Sequence, residues 1–322
     1  MGARVNERPR LLRVEPERVY RFYRGGSLIG LLRGVDEADD YFPEDWVGST
    51  TPAGNPGRDE PEAGLSRVAD GRLVRDVLAA DPDYWLGAAH VARFGASPGL
   101  LVKLLDPAER LPVHAHPSGE FASTQLGSQF GKTEAWLVLE TRGDQAEIWV
   151  GLRDEIEPVE YRRWIDEQDT EALLGSLNHV AVRSGDLMYV PAGVPHAIGG
   201  GALIAELQEP TDFLLLCEWK GFPIDPNDTH LGLGWDAAFE ALDLSPHVPA
   251  LGLPETAKQF FWIDELLEPA GRFAVLLVLE GEGRIEEEAA SPGNAFVVPA
   301  GTNELRTSGD LRVLRCLAPL PS

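Results

Sequence analysis

Apolar residues along this chain gather into short aliphatic and aromatic runs bounded by Gly, Pro and Asp, the pattern of buried strands rather than long helices. Leu100-Leu101-Val102-Lys103-Leu104-Leu105 is one such run, ended by Asp106-Pro107. Two others form a faint internal repeat. Trp136-Leu137-Val138-Leu139-Glu140 is answered by Leu276-Leu277-Val278-Leu279-Glu280, and Gly185-Asp186-Leu187-Met188-Tyr189-Val190-Pro191-Ala192-Gly193 by Gly293-Asn294-Ala295-Phe296-Val297-Val298-Pro299-Ala300-Gly301. Each half thus predicts strand, turn, strand and a Val-Pro-Ala-Gly turn. Helical spacing is confined to an insert at about 154–178, to Arg72–Leu78 with Tyr84-Trp85-Leu86-Gly87, and to Asp236–Leu242. Between Ser49 and Arg67 the chain is rich in Pro, Gly and Glu without periodicity, which predicts a long loop.

Short strands separated by Gly-rich turns predict a mainly β chain of two antiparallel double-sheet barrels, of the jelly-roll or cupin type, with a small helical insert outside them. The first barrel takes residues 1–250, including N-terminal strands and the insert. The second takes 256–322, which is short for a closed double sheet and so is expected to borrow strands from the N-terminal region.

Composition narrows the function. Among 322 residues, 52 acidic side chains against 28 basic ones give a net charge of -24, and no run gathers the positive charges, so nucleic acid is an improbable partner. No apolar run is long enough for a membrane helix. The opening stretch Met1–Arg10 is basic but leads into no long apolar core, so no secretion signal is expected and the cytoplasm is the expected address. Cys217 and Cys316, each in an apolar stretch, read as buried thiols in a reducing compartment. Only Lys103, Lys132, Lys220 and Lys258 are lysines.

Three of the seven histidines carry the candidate chemistry. His114 and His116 are two apart and point to one face of a strand. Glu134 begins the next strong strand, and His196 follows the Val190-Pro191-Ala192-Gly193 turn. Imidazoles and a carboxylate converging inside a small barrel suit Zn or another first-row divalent metal. The second half has no such set: its matching turn reads Val298-Pro299-Ala300-Gly301-Thr302-Asn303-Glu304, so it is expected to be metal-free and structural. Lys132 lies two residues before Glu134, and Glu206 and Gln208 share a face. These supply candidate acid/base groups, Lys132 and Glu206, and a hydroxyl contact, Gln208. His90, His179, His230 and His247 lack partners at ligand spacing. Trp149, Trp164, Trp219 and Trp235 fit core packing better than sugar stacking, and Glu286-Glu287-Glu288 reads as a solvated turn.

These residues resemble a known family, the type I mannose-6-phosphate isomerases in their short bacterial form. Leu100–Asp106 followed by Leu111-Pro112-Val113-His114-Ala115-His116-Pro117 is similar to the family's Leu-Val-Lys-Leu-Leu-Asp-Ala and Leu-Ser-Val-Gln-Val-His-Pro. Gly131-Lys132-Thr133-Glu134-Ala135-Trp136 resembles its Gly-Lys-Thr-Glu-Cys/Ala-Trp, and Val190–Ile198 its Ile-Pro-Ala-Gly-Thr-Ile-His-Ala-Ile. Gly25-Gly26-Ser27-Leu28, Glu44-Asp45-Trp46-Val47-Gly48-Ser49 and Glu206-Leu207-Gln208 before Thr211-Asp212 extend the likeness over about residues 20 to 245.

The resemblance implies a metal-dependent aldose-ketose isomerase that interconverts mannose 6-phosphate and fructose 6-phosphate through an enediolate. Its metal would be held by His114, His116, Glu134 and His196, its catalytic groups would be Lys132 and Glu206, and its substrate contacts Gln208 and Lys220. A small sugar or sugar phosphate is the expected partner, with the chain a monomer or homodimer. Three departures keep other readings open. The family's glutamine ligand is His114 here, its phosphate-associated serine is Pro112, and the arginine expected after Thr211-Asp212 is absent from Phe213–Lys220. An isomerase of an unphosphorylated sugar, or a sugar-binding or regulatory cupin without turnover, are the alternatives.

Overall fold

Side-chain alternation along the strands decides the layers. The computed structural model describes residues 8–35 and 40–321, so most of the opening stretch read for a secretion signal lies outside the described residues. A central antiparallel sheet runs in the spatial order Arg18–Val19, Glu44–Val47, Leu101–Leu105, Ala202–Gln208, Glu134–Thr141 and Leu187–Val190. Leu105, Trp136, Val138 and Ile204 point to one side of it, where they meet Ile148, Val150 and Ile198 of a front sheet. That front sheet is ordered Leu215–Leu216, His114–Ala115, His196–Ile198, Ala146–Leu152 and Leu177–Val182.

The alternate residues Val102, Leu104, Ala135, Ala205 and Leu207 point the other way and share a core with Val275, Leu277, Val297 and Leu314. These belong to a back sheet ordered Leu12–Val14, Ala295–Val298, Ala274–Ile285, Thr307–Leu317 and Trp262–Asp264, with Glu288–Ala290 completing a hairpin. The central sheet is therefore apolar on both faces through most of its area, the pattern of a sheet covered on both sides.

The internal repeat is structural. Gly185 N donates to Val138 O at 2.8 Å, and Gly293 N to Val278 O at 2.8 Å; the reverse bonds, Val138 N to Asp186 O and Val278 N to Asn294 O, are both 2.9 Å. Gly185 and Gly293 have φ of 92° and 80°, left-handed values that a side chain would strain. Leu12–Val14 is the strand lent to the second half by the N-terminal region. Among the described residues that half builds one sheet, not two. Its outer face is covered by Trp262, Leu267, Leu305 and Leu311 packed on Leu276, Val278 and Phe296, so its closure comes from stacking on the central sheet instead.

The insert forms the helices Pro158–Glu167 and Thr170–Gly175. Tyr161, Ile165 and Leu173 pack on Val113, Leu152 and Ala197, which places the pair against the outside of the front sheet. Asp169 caps the second helix by accepting from Ala172 N at 3.1 Å. The stretch from 72 to 94 makes three short helices, Val74–Ala80, Pro82–Leu86 and Ala88–Phe94, and Trp235–Ala238 continues into a 3-10 turn at Phe239–Ala241. No helix among the described residues is long and apolar enough to cross a membrane. Glu286 stands at the turn of the hairpin with φ 49° and accepts from Arg306.

Because the back sheet supplies half of the core shared with the central sheet, deleting residues 256–322 is expected to uncover a continuous apolar face and unpaired strand edges, and to give insoluble protein. Recovery of the truncated chain in the soluble fraction with the metal content of the full chain would show that the halves are independent.

Candidate active site

His114 and His196 are directly paired across two strands of the front sheet, and His116 follows two residues on, so register alone brings three imidazoles together at that sheet. Each ring is oriented by a backbone carbonyl. Nδ1 of His114 bonds Pro112 O at 2.8 Å, that of His116 bonds Phe213 O at 2.7 Å, and that of His196 bonds Val194 O at 2.8 Å. A carbonyl can only accept, so each Nδ1 carries the proton and each Nε2 presents a bare lone pair. All three rings are buried, with ligand atoms within 4.8 Å of one another.

Glu134 comes from the facing central sheet. Its Oε1 is 3.0 Å from His116 Nε2 and its Oε2 3.7 Å from His196 Nε2. Trp136 Nε1 donates to Oε2 at 3.1 Å, and Lys132 Nζ lies 3.2 Å from Oε1. A lone pair pointing at a carboxylate oxygen is a pair of acceptors without a donor, and the Nε2 atoms of His116 and His196 are buried with no hydrogen-bond donor. A proton on His116 would resolve the contact, but burial, and then Lys132, lower its proton affinity. Burial followed by neighbouring imidazoles does the same to the others: His114 falls well below its ordinary value and His196 to about 3. The three histidines could hold a cation between them. Neutral imidazole nitrogen with one carboxylate oxygen is the donor set of a first-row divalent metal, and the oriented Nδ1 bonds are the outer partners such a site requires.

A cavity of about 690 Å³ opens beside this set, with His114, Glu134, Lys132 and Glu206 in its lining. Its floor is the polar end of the central sheet, where Glu206 is the cross-strand partner of Lys103, and Gln208 of Glu134. Lys103 Nζ sits 3.4 Å from Glu206 and 3.8 Å from Glu44. Glu44 also accepts from Arg21 Nε at 2.9 Å, Tyr23 OH at 2.6 Å and Trp46 Nε1 at 2.7 Å. Arg21 then pairs with Asp212 at 2.9 Å. Burial alone would raise the Glu44 carboxyl, but Arg21 and Lys103 outweigh it and hold the group far below the usual carboxylate range. For Glu206, burial followed by the Glu134 charge outweighs Lys103, and its proton affinity is raised.

The structure therefore brings His114, His116, Glu134, His196, Lys132 and Glu206 together. Gln208 is buried, but its amide nitrogen donates to Glu209 O at 3.1 Å and Thr211 O at 2.5 Å, and the side chain does not line the cavity. Lys220 is exposed away from it; its backbone N–H is taken by Gln168 Oε1. Pro112, Leu214 and Leu216 form an apolar wall, so the run after Thr211-Asp212 contributes shape and no charge. Sequence reasoning gave no site role to Lys103, Glu44 or Asp212. A signal existed for Lys103, one of four lysines and the only polar residue inside an aliphatic strand run. The remaining histidines and tryptophans stay outside the cavity: His90 bonds Ser97 O, Trp149 stacks on His179 and Trp219 on Trp235.

No family model matches the chain. It is 28% identical over 318 residues to the mannose-6-phosphate isomerase of Streptococcus mutans, a match covering 90% of this chain and 93% of that protein. A mannose-6-phosphate isomerase of Bacillus subtilis is 27% identical over 241 residues, 65% of this chain and 72% of the relative. Among solved structures, the mannose 6-phosphate isomerase of Bacillus subtilis superposes with a TM-score of 0.74 at 23% identity, over 96% of this chain and 99% of that one. A mannose 6-phosphate isomerase bound with zinc and yttrium superposes at 0.70 and 15% identity, over 97% and 100%. These structures share the fold described above.

His116→Ala and His196→Ala should each remove most bound metal from the purified protein, read by elemental analysis, since each deletes one oriented Nε2 donor. Full occupancy in either variant would contradict the assignment.

Proposed function

We propose that this protein is a metal-dependent aldose-ketose isomerase that interconverts mannose 6-phosphate and fructose 6-phosphate. The observation that carries this reading is the three converging histidines with Glu134 beside them, next to a cavity whose lining includes His114, Glu134, Lys132 and Glu206. Full-length similarity to a mannose-6-phosphate isomerase supports it. In this reading residues 1–250 carry the site and 256–322 are structural.

The reaction moves a proton between C1 and C2 of the sugar, and negative charge develops on the oxygens of both carbons in the enediolate. His114, His116, Glu134 and His196 would hold the metal, for which zinc is our choice. When bound, it supplies Lewis-acid stabilisation of that charge. Glu206 is the group we assign to the proton: its raised affinity suits a base that must take a proton from carbon and return it to the neighbouring one. Lys103, 3.4 Å away, keeps its ionised form attainable in a buried setting. Lys132 keeps Glu134 ionised and offers a donor to the substrate oxygens. Gln208 braces the turn at Glu209–Thr211 through its backbone bonds, and the exposed Lys220 is left as a contact outside the cavity.

A coupled assay on mannose 6-phosphate, run beside elemental analysis, tests the reading. Turnover should rise and fall with metal content; bound metal without turnover would refute it. Glu206→Gln should lower kcat by about 10²- to 10⁴-fold with metal content unchanged. The sign of the pH dependence follows from the raised affinity. Below it the carboxyl is protonated and cannot accept, so the rate should climb with pH through a limb lying above the ordinary glutamate range, and that limb should be missing from the residual activity of the glutamine variant.

A further inference from the structure

Glu209 follows the last residue of the central strand Ala202–Gln208, and its side chain is buried against the segment Gly131-Lys132-Thr133. One carboxylate oxygen accepts from Gly131 N at 3.2 Å and the other from Thr133 N at 2.9 Å, so the two bonds flank Lys132. The same stretch also takes the carbonyls of the segment. Glu209 N donates to Thr133 O at 3.2 Å, and Thr211 Oγ1 to Gly131 O at 2.7 Å. Lys132 N itself donates to Pro117 O at 3.0 Å.

The strand ladder does not hold this segment, because the strand begins at Glu134. Glu134 is already fixed by its cross-strand partners Gln208 and Val190, so the clamp acts on the residues before it. Two N–H groups two residues apart require two acceptors at once, which a carboxylate offers. A glutamine would offer one oxygen and turn a donor toward the other N–H. Keeping a carboxylate here is unfavourable in itself. Burial raises its proton affinity, and what opposes burial is the bonds from Thr133 and Gly131 rather than a cation. The segment is also packed closely on its other side: a Cβ at Gly131 would come within 2.5 Å of Gly119 N and 2.6 Å of Pro117 O.

What the clamp locates is an ammonium group. Lys132 lines the cavity, and its Nζ stands 3.2 Å from Glu134 Oε1. A lysine carries its charge on a flexible stem, so the charge is placed no better than the backbone that bears it. We infer that Glu209 is a positioning residue, its carboxylate fixing the backbone on both sides of Lys132 and so setting the ammonium against the substrate oxygens. The inference rests on the isomerase reading given above and adds to it a residue outside the cavity lining.

The test is a double-mutant cycle on zinc-loaded protein: the unsubstituted chain, Glu209→Ala, Lys132→Ala and the two together. It is read by steady-state kinetics on mannose 6-phosphate, calorimetric Kd for the same ester, and metal content. Glu209→Ala should lower kcat about 10- to 100-fold, the effect of a misplaced group, with Kd raised by less and metal content parent-like. In the Lys132→Ala background the same substitution should change kcat by no more than about twofold, since nothing is left to position. A merely structural role would cost the same in both backgrounds. Glu209→Gln keeps the shape and one acceptor and should fall between the parent and the alanine variant; paired with Lys132→Ala in the same way, it carries the test if the alanine variant does not fold. Parent-like kcat in the Glu209 variants, an equal loss in both backgrounds, or a loss of metal together with activity would each overturn the inference, the last by moving the effect to Glu134. A parent chain that binds the ester without turning it over would refute the isomerase reading, and Glu209 is then judged by the same cycle in Kd. Weaker binding in the parent background alone supports it, and equal weakening in both overturns it. A parent chain that does not bind the ester would overturn both.

Discussion

The central sheet is buried on both faces, and most of the molecule answers to that constraint. One face must be apolar along its whole length to stack on the back sheet, which Val102, Leu104, Ala135, Ala205 and Leu207 satisfy. The other needs apolar residues only where the front sheet covers it. Leu105, Trp136, Val138 and Ile204 fill that part, while toward the open end the same strands carry Glu44, Lys103, Glu134 and Glu206. A period of two puts these four on one side without further specification. The histidine group, the cavity and its floor thus lie at the polar end of two stacked sheets whose other end is sealed by hydrocarbon.

Burying so much charge is tolerable because it alternates. From the rim inward the order is Asp212, Arg21, Glu44, Lys103, Glu206, each within ion-pair distance of the next. Tyr23 and Trp46 satisfy the remaining acceptor sites on Glu44. Removing one partner from such a series strands a buried charge, which costs far more than the pair contributes in net stability. At the inner end the alternation breaks: Glu206 feels Glu134 as a like charge, and the histidine lone pairs face Glu134 without a donor. That break lies where the three histidines that could hold a metal ion converge. Glu206, its proton affinity held up, thus stands beside Glu44, whose affinity is held down.

Among the described residues the back sheet holds none of the three grouped histidines, yet it repeats the strand-turn-strand unit of the first half, from Gly185 and Val138 to Gly293 and Val278. Its outer face carries Trp262, Leu267 and Leu305 where the first half has a front sheet.

Much of this was legible in the chain because it is local. Strand runs, the repeat, the two insert helices and the His-x-His, Glu, His order all depend on residue type and spacing, and steric and periodic rules act on these before any tertiary contact forms. What the chain could not give is where distant segments meet. Gln208 shares a strand face with Glu206, but its amide turns to the chain at Glu209 and Thr211. Lys220, expected at the substrate, lies on the surface because Gln168 holds its backbone against the insert. Arg21, Asn55 and Asp212 come from three separated stretches and converge only when the N-terminal strand, the long loop and the end of Ala202–Gln208 pack together. Sequence by itself determined which residues could bind a metal and which face each would take. The tertiary structure alone decided which charges are paired and which groups line the cavity, because pairing over tens to hundreds of residues depends on loop closure and packing that no local pattern encodes.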